Sequence, residues 1–156
     1  AVAAYFGKSV LREVSEDELI TAVPALRKKL GDRAILRALH FMSENKRVEK
    51  ALAAAKAGDT DAFLAEINAS GTSSAIALQN YFTCKAPAEQ GITLAVTLAR
   101  EIMGGKGAAR VHGGGFAGTA QAFVPEEIFD KFVGAFGKGA VVALEIRNES
   151  ATRISD

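Results

Sequence analysis

Tryptophan is absent from this 156-residue chain, cysteine occurs once, histidine twice and proline three times. A single cysteine excludes an intramolecular disulfide framework and any all-cysteine metal site, and it suits a reducing, cytoplasmic setting. The two histidines and one cysteine are scattered and show no metal-ligand spacing, so no metal site is expected. Charge of one sign is not in excess, because nineteen basic and eighteen acidic residues leave a net charge of +1. Such a balance lacks the clustered basic footprint of a nucleic-acid binder or of a protein that docks on anionic membranes. No apolar run approaches the roughly 18 residues that a transmembrane helix needs. There is also no initiator methionine and no signal-peptide pattern, which reads as a start inside a longer sequence.

What is present is ordinary globular material, 49% hydrophobic and 24% charged, so disorder is not expected. The length suggests one domain over residues 1–156, and a domain of that size buries roughly 68–70% of its unfolded surface. Length alone permits a small enzyme or one half of a larger one.

The first two thirds carry helical spacing. Ser15 and Glu18 form a capping box for a helix with Leu19, Val23 and Leu26 on its apolar stripe. Pro24 removes one helical bond there and predicts a kink or a restart. After Gly31, with Asp32 as a cap, the longest helix is expected from about Arg33 to Ala57. Its inward stripe is Ala34, Ala38, Phe41, Val48, Leu52 and Ala55. Gly58 ends it, and Asp59 or Thr60 caps a helix with Phe63, Leu64 and Ile67. A further helix is expected from Ala88 to Met103, with Ile92, Ala95, Ala99 and Ile102 inward and Glu89 and Gln90 in its first turn.

From Gly104 onward the period changes. Gly107 to Val111 and Thr119 to Val124 read as strands. Pro125-Glu126-Glu127 opens a helix with Ile128, Phe129, Phe132, Val133 and Phe136 on its apolar face. Ala140 to Arg147 alternates as a last strand. Helices followed by a β-β-α-β unit imply an α+β fold, an antiparallel sheet covered by helices.

The chemistry concentrates between the two middle strands, in Arg110-Val111-His112-Gly113-Gly114-Gly115-Phe116-Ala117-Gly118-Thr119. Gly113, Gly115 and Gly118 satisfy GxGxxG formally. A dinucleotide site needs a helix after the loop, whereas Thr119 to Val124 is short, alternating and ends at a proline. Four glycines in six residues exceed what a tight hairpin requires, so another group is expected to pack directly on this main chain.

The string VHGGGFAG resembles the third signature motif of the GHMP small-molecule kinases, most of all the galactokinase version. The likeness extends to Arg37-Ala38-Leu39-His40, Glu44-Asn45, Arg47-Val48, and Gly58-Asp59 before Phe63, and covers roughly Gly31 to Arg147. Ala117 replaces a usual glycine. This resemblance implies a C-terminal GHMP kinase domain with a ferredoxin-like sheet. In it, Gly113, Gly114, Gly115, Phe116, Ala117 and Gly118 line the active site and support the phosphate loop and the substrate. The resemblance further implies that the parent phosphorylates galactose at its C1 hydroxyl using ATP and Mg2+. The phosphate loop, the catalytic aspartate and the magnesium ligands would then lie in an N-terminal GHMP domain of the same parent chain. No catalytic residue, and no bound ATP or Mg2+, is expected in these 156 residues, which alone should be inactive. The partners implied are that N-terminal domain and a sugar substrate, with no nucleic acid and no membrane.

Departures from the galactokinase pattern leave other readings open. Gly71 stands where a histidine is usual, and Leu78-Gln79-Asn80-Tyr81 occupies the place of a Tyr-Glu-Val-Ser-Cys-Pro string. The alternatives are a GHMP kinase for another sugar or small alcohol, and a non-catalytic sugar- and ATP-binding sensor on the same scaffold. Gly71-Thr72-Ser73-Ser74-Ala75 looks like the missing phosphate loop but has helical sequence on both sides. Arg110 offers charge to a phosphate or pairs with a carboxylate, and His112 reaches a substrate group or satisfies a local bond at the strand end. His40 shares a helical stripe with Arg37, Glu44 and Arg47, which reads as a solvated, salt-bridged face. Cys84 has no histidine near it in sequence, so a nucleophilic role is not expected.

Overall fold

In the computed structural model, which describes residues 1–115, 118–137 and 139–146, a four-residue helix α1 (Val2–Tyr5) precedes the capping box. Glu18 donates its N–H to Ser15 Oγ at 3.2 Å, and Ser15 N–H donates back to Glu18 Oε2 at 2.8 Å. Helix α2 (Glu16–Leu30) then runs through Pro24 without restarting. Pro24 lies on the exposed face, where water can take the carbonyl it leaves unbonded. Leu19 and Leu26, both fully buried, hold the helix on either side of it.

Gly31 breaks the chain, and α3 (Asp32–Ala57) follows. Asp32 is not the cap expected from sequence. It is the first helical residue, and its carboxylate takes the Arg27 guanidinium at 2.6 Å. The inward residues of α3 also differ from the expected stripe: Ile35, Ala38, Met42 and Ala54 are buried, while Val48 and Leu52 are 66% and 54% exposed. At about 1.5 Å per residue, α3 outruns both neighbours. Helix α2 covers its first half on one side and α4 (Thr60–Ser73) packs along it from another. No single stripe can therefore serve its whole length. Asp59 caps α4, accepting the Ala62 N–H at 2.9 Å.

Helix α4 passes into a π-helical turn, Ser74–Leu78, which ends at Gln79 in the left-handed region (φ 58, ψ 48). Helix α5 (Gly91–Met103) begins later than expected. Gln90 binds the Pro87 carbonyl at 2.9 Å, and Ile92, Val96, Ala99 and Met103 point inward. Strands β1 (Ala108–Val111) and β2 (Ala120–Phe123) pair antiparallel, Ala108 opposite Phe123 and Val111 opposite Ala120. A short 3-10 turn, Glu126–Ile128, leads into α6 (Phe129–Phe136), whose Phe132 is buried. The fold is α+β, and the described residues form six α-helices with a two-stranded antiparallel sheet.

The outer edge of β1 is closed by side chains. Asn68 accepts the Ala109 N–H at 3.1 Å and donates to the Gly107 carbonyl at 2.9 Å. Arg100 donates to the Ala109 carbonyl at 2.9 Å, and the Val111 N–H reaches the Tyr81 hydroxyl at 3.4 Å. Arg110 closes the row on the Val111 carbonyl at 3.1 Å. Buried backbone groups need partners, and here Asn68 of α4, Arg100 of α5, Tyr81 and Arg110 supply them where a strand would have done so.

The expected last strand is a correction. Residues 140–146 form no strand, Arg147 lies outside the described residues, and Val142, Leu144 and Ile146 are 76–89% exposed. Alternation sets the two faces of a strand but supplies no partner for its backbone. Two apolar clusters result. One gathers Leu19, Leu26, Ile35, Ala38 and Met42. The other joins Tyr81, Ile92, Val96, Met103, Val111 and Phe132 around the sheet.

Candidate functional site: the glycine loop and its support

The glycine connection between β1 and β2 closes on one bond, His112 N–H to the Thr119 carbonyl at 3.1 Å. Gly113, Gly115 and Gly118 have φ of 65, 79 and 81, a region that disfavours other residues. Gly113, Gly114 and Gly118 are exposed, and a side chain added at any of them would meet nothing within 4 Å among the described residues. Phe116 and Ala117 of the predicted loop lie outside the described residues.

Gly115 is different. A Cβ there would sit 2.2 Å from the Asn80 backbone oxygen and 2.8 Å from Asn80 Nδ2. Asn80 is 3% exposed, donates Nδ2 to the Gly114 carbonyl at 3.1 Å, and leaves Oδ1 buried with no partner among the described residues. The direct packing on main chain that the glycines predict is thus real at Gly115, and its source is a side chain and peptide of this same chain. The π-helical turn and the left-handed Gln79 deliver Asn80 to that place. Tyr81, next in sequence, donates its hydroxyl to the Gly71 carbonyl at 2.9 Å.

Of the two candidate neighbours, His112 is exposed at the strand end. Arg110 is half-buried and lies against Gly71, with its Cβ 2.9 Å from where a Gly71 Cβ would be. The Ser73-Ser74 string lies at the end of α4 and in the π-helical turn, with Ser74 1% exposed. It offers no helix N-terminus to a phosphate.

The His40 stripe is a second correction. Arg37 is exposed as expected, but His40, Glu44 and Arg47 form a half-buried polar layer between α3 and α4. His40 Nδ1 shares a hydrogen bond with Ser73 Oγ at 2.9 Å, Ser70 Oγ donates to Glu44 at 2.5 Å, and Arg47 pairs with Glu44. Burial holds the His40 imidazole below its ordinary pKa, Glu44 pulls it back up, and Arg47 and Arg110 press it down. Helical spacing identified the stripe but not the helix that covers it. Asn80 gave no such signal beyond being a polar residue among Leu78, Tyr81 and Phe82.

The glycine connection between antiparallel strands, set in an α+β unit with this helical context, is where the resemblance to the GHMP small-molecule kinases sits. By sequence the chain is a homologue of galactokinases. It is 35% identical over 125 residues to a galactokinase of Glaesserella parasuis serovar 5, 34% over 127 residues to one of Mannheimia succiniciproducens, and 33% over 128 residues to one of Haemophilus influenzae. These matches cover 80–82% of this chain and 30–31% of each relative. The chain therefore spans about 30% of the length of the curated relatives it matches, consistent with a C-terminal segment. No family model matches it. Among the described residues no helix is long and apolar enough to cross a membrane.

Proposed function

We propose that residues 1–156 are the C-terminal domain of a galactokinase whose full-length form transfers the γ-phosphoryl group of ATP to the C1 hydroxyl of galactose. The chain's own part is to present the loop Gly113 to Gly118, with Arg110 and His112 beside it, to a cleft shared with an N-terminal domain. The likeness to galactokinases carries this reading, and Gly114 agrees with it. Its φ lies outside the left-handed region and a Cβ there would touch nothing within 4 Å, so nothing inside the described structure requires glycine at that position. A ligand or domain that closed on the main chain would require it.

Among the described residues no three His, Cys, Asp or Glu gather into a group that could hold a metal, and the Ser73-Ser74 string is sealed inside helical structure. On this reading the nucleotide and the ion are held by the rest of the parent, and the isolated chain is inactive. A second reading, a kinase for another sugar or small alcohol, is favoured by Gly71 standing where galactokinases have a histidine.

ADP release by the full-length polypeptide over a panel of hexoses tests both. Galactose-dependent turnover supports the first, and turnover only with another sugar or alcohol selects the second. In the same protein Gly114→Ala should lower kcat/KM by about tenfold or more with no measurable change in thermal midpoint. Unchanged activity would remove the loop from the site.

A further inference from the structure

Among the described residues, Asn80 is the one buried polar side chain that touches the glycine loop. Its Nδ2 holds the Gly114 carbonyl at 3.1 Å, and its own backbone oxygen fills the place of a Gly115 side chain. The amide cannot be turned round, because Oδ1 would then face the Gly114 carbonyl, oxygen against oxygen. Asn80 is itself held rigidly. Tyr81 is fixed between Gly71 and Val111 on one side, and on the other Gln79 is locked in the left-handed region, with its N–H on the Ser74 carbonyl at 2.7 Å. A buried acceptor with no partner among the described residues, as Oδ1 is, opposes folding, and a leucine of nearly the same size would avoid that cost. The amide is therefore explained by what its Nδ2 does to the loop.

We propose that Asn80 is a positioning residue for the kinase reaction, one that sets the path of the Gly113–Gly115 main chain from beneath. The inference rests on the reading of the loop as an active-site element. Asn80 does not touch substrate; it acts through the Gly114 carbonyl, whose orientation fixes where the neighbouring peptide N–H groups point. Displacing such a loop by a fraction of an ångström should act on turnover far more than on sugar binding.

The test uses the full-length polypeptide and the substitution Asn80→Asp, which keeps the shape but puts a second oxygen against the Gly114 carbonyl. Three results are expected. At about pH 8, kcat falls by about tenfold to a hundredfold while KM for galactose stays within about twofold. As pH falls towards about 6, the ratio of variant to wild-type kcat rises, because the protonated carboxyl regains a donor for that carbonyl. Amide exchange at Gly113, Gly114 and Gly115 becomes about tenfold faster. Gly115→Ala, which drives the loop off Asn80, should give the same split between kcat and KM without the recovery in acid, and serves if Asn80→Asp does not fold. Variants indistinguishable from wild type, or variants that lose activity at every pH only in proportion to lost folded protein, overturn the proposal. A wild type that phosphorylates no sugar would sink the functional reading instead, and the exchange measurement would still decide whether Asn80 sets the loop.

Discussion

His40 and Ser73 share a hydrogen bond of 2.9 Å that ties the middle of α3 to the last residue of α4. Burial lowers the imidazole pKa from its ordinary 6.5, outweighing Glu44, with Arg47 and Arg110 adding to the drop. The unfolded chain therefore takes up a proton at a pH where the folded chain still resists it. The contribution of neutral His40 to stability should be complete above about pH 7 and be lost as the pH drops through and below 6.5. The thermal midpoint should fall between about pH 7.5 and about pH 5.5, and His40→Gln should flatten that slope. Glu13 and Glu18 are both shifted down from 4.5, so their contributions are lost only in stronger acid. A slope that His40→Gln leaves unchanged would assign the effect to another group.

Gly71 is required by packing. A Cβ there would lie 2.7 Å from Arg100 Nη2, 2.9 Å from Arg110 Cβ and 3.0 Å from the Ala109 carbonyl. The first can swing away, although it would lose its bonds to Asn68 and Ala109. The other two move only with β1. Gly71→Ala should cost about 1–3 kcal/mol, read as a lower urea midpoint. A neutral result would mean that β1 shifts freely against α4.

Gly134 is the opposite case. It lies inside α6 with a helical backbone, and a Cβ added there would meet nothing within 4 Å among the described residues. Gly134→Ala should therefore stabilise by about 0.5–1 kcal/mol through the entropy of the unfolded chain. Calorimetry showing destabilisation would place another group against that face.

Asn68 provides two of the side-chain bonds that close β1. Truncation by Asn68→Ala leaves the Gly107 carbonyl and the fully buried Ala109 N–H without partners. A loss of about 1–3 kcal/mol is expected, together with faster amide exchange at Ala109. Exchange as slow as in the wild type would show that water or a neighbouring group replaces the amide.

At the N-terminus of α2 both capping-box bonds are formed, so Ser15→Ala should cost about 1 kcal/mol. Retention of full stability would show that the first turn of α2 frays without consequence for the core.

The local signals proved legible wherever a bond closes within a few residues. The capping box at Ser15, the Asp59 cap and the two strands beside the glycines are of this kind. The boundaries and faces that failed depend on distant neighbours. Val48 and Leu52 are exposed because α4 covers a different side of α3, and residues 140–146 pair with no strand among the described residues. His40 and Glu44 were visible as a stripe, but only α4, arriving with Ser70 and Ser73, makes those two residues part of a half-buried layer. Asn80 had no local mark, since its partner Gly114 is 34 residues away.

By itself the sequence determined the caps at Ser15 and Asp59, the α+β class and the glycine loop with its kinase likeness, because these follow from short-range sterics and from residue order. Tertiary structure alone decided which side chains close the β1 edge and that Gly115 is glycine to admit Asn80. It alone decided, too, that Gly114 is glycine with none of the described residues against it. Those facts are distances between residues far apart in the chain. They are fixed only once α4, its π-helical turn and α5 have packed around β1.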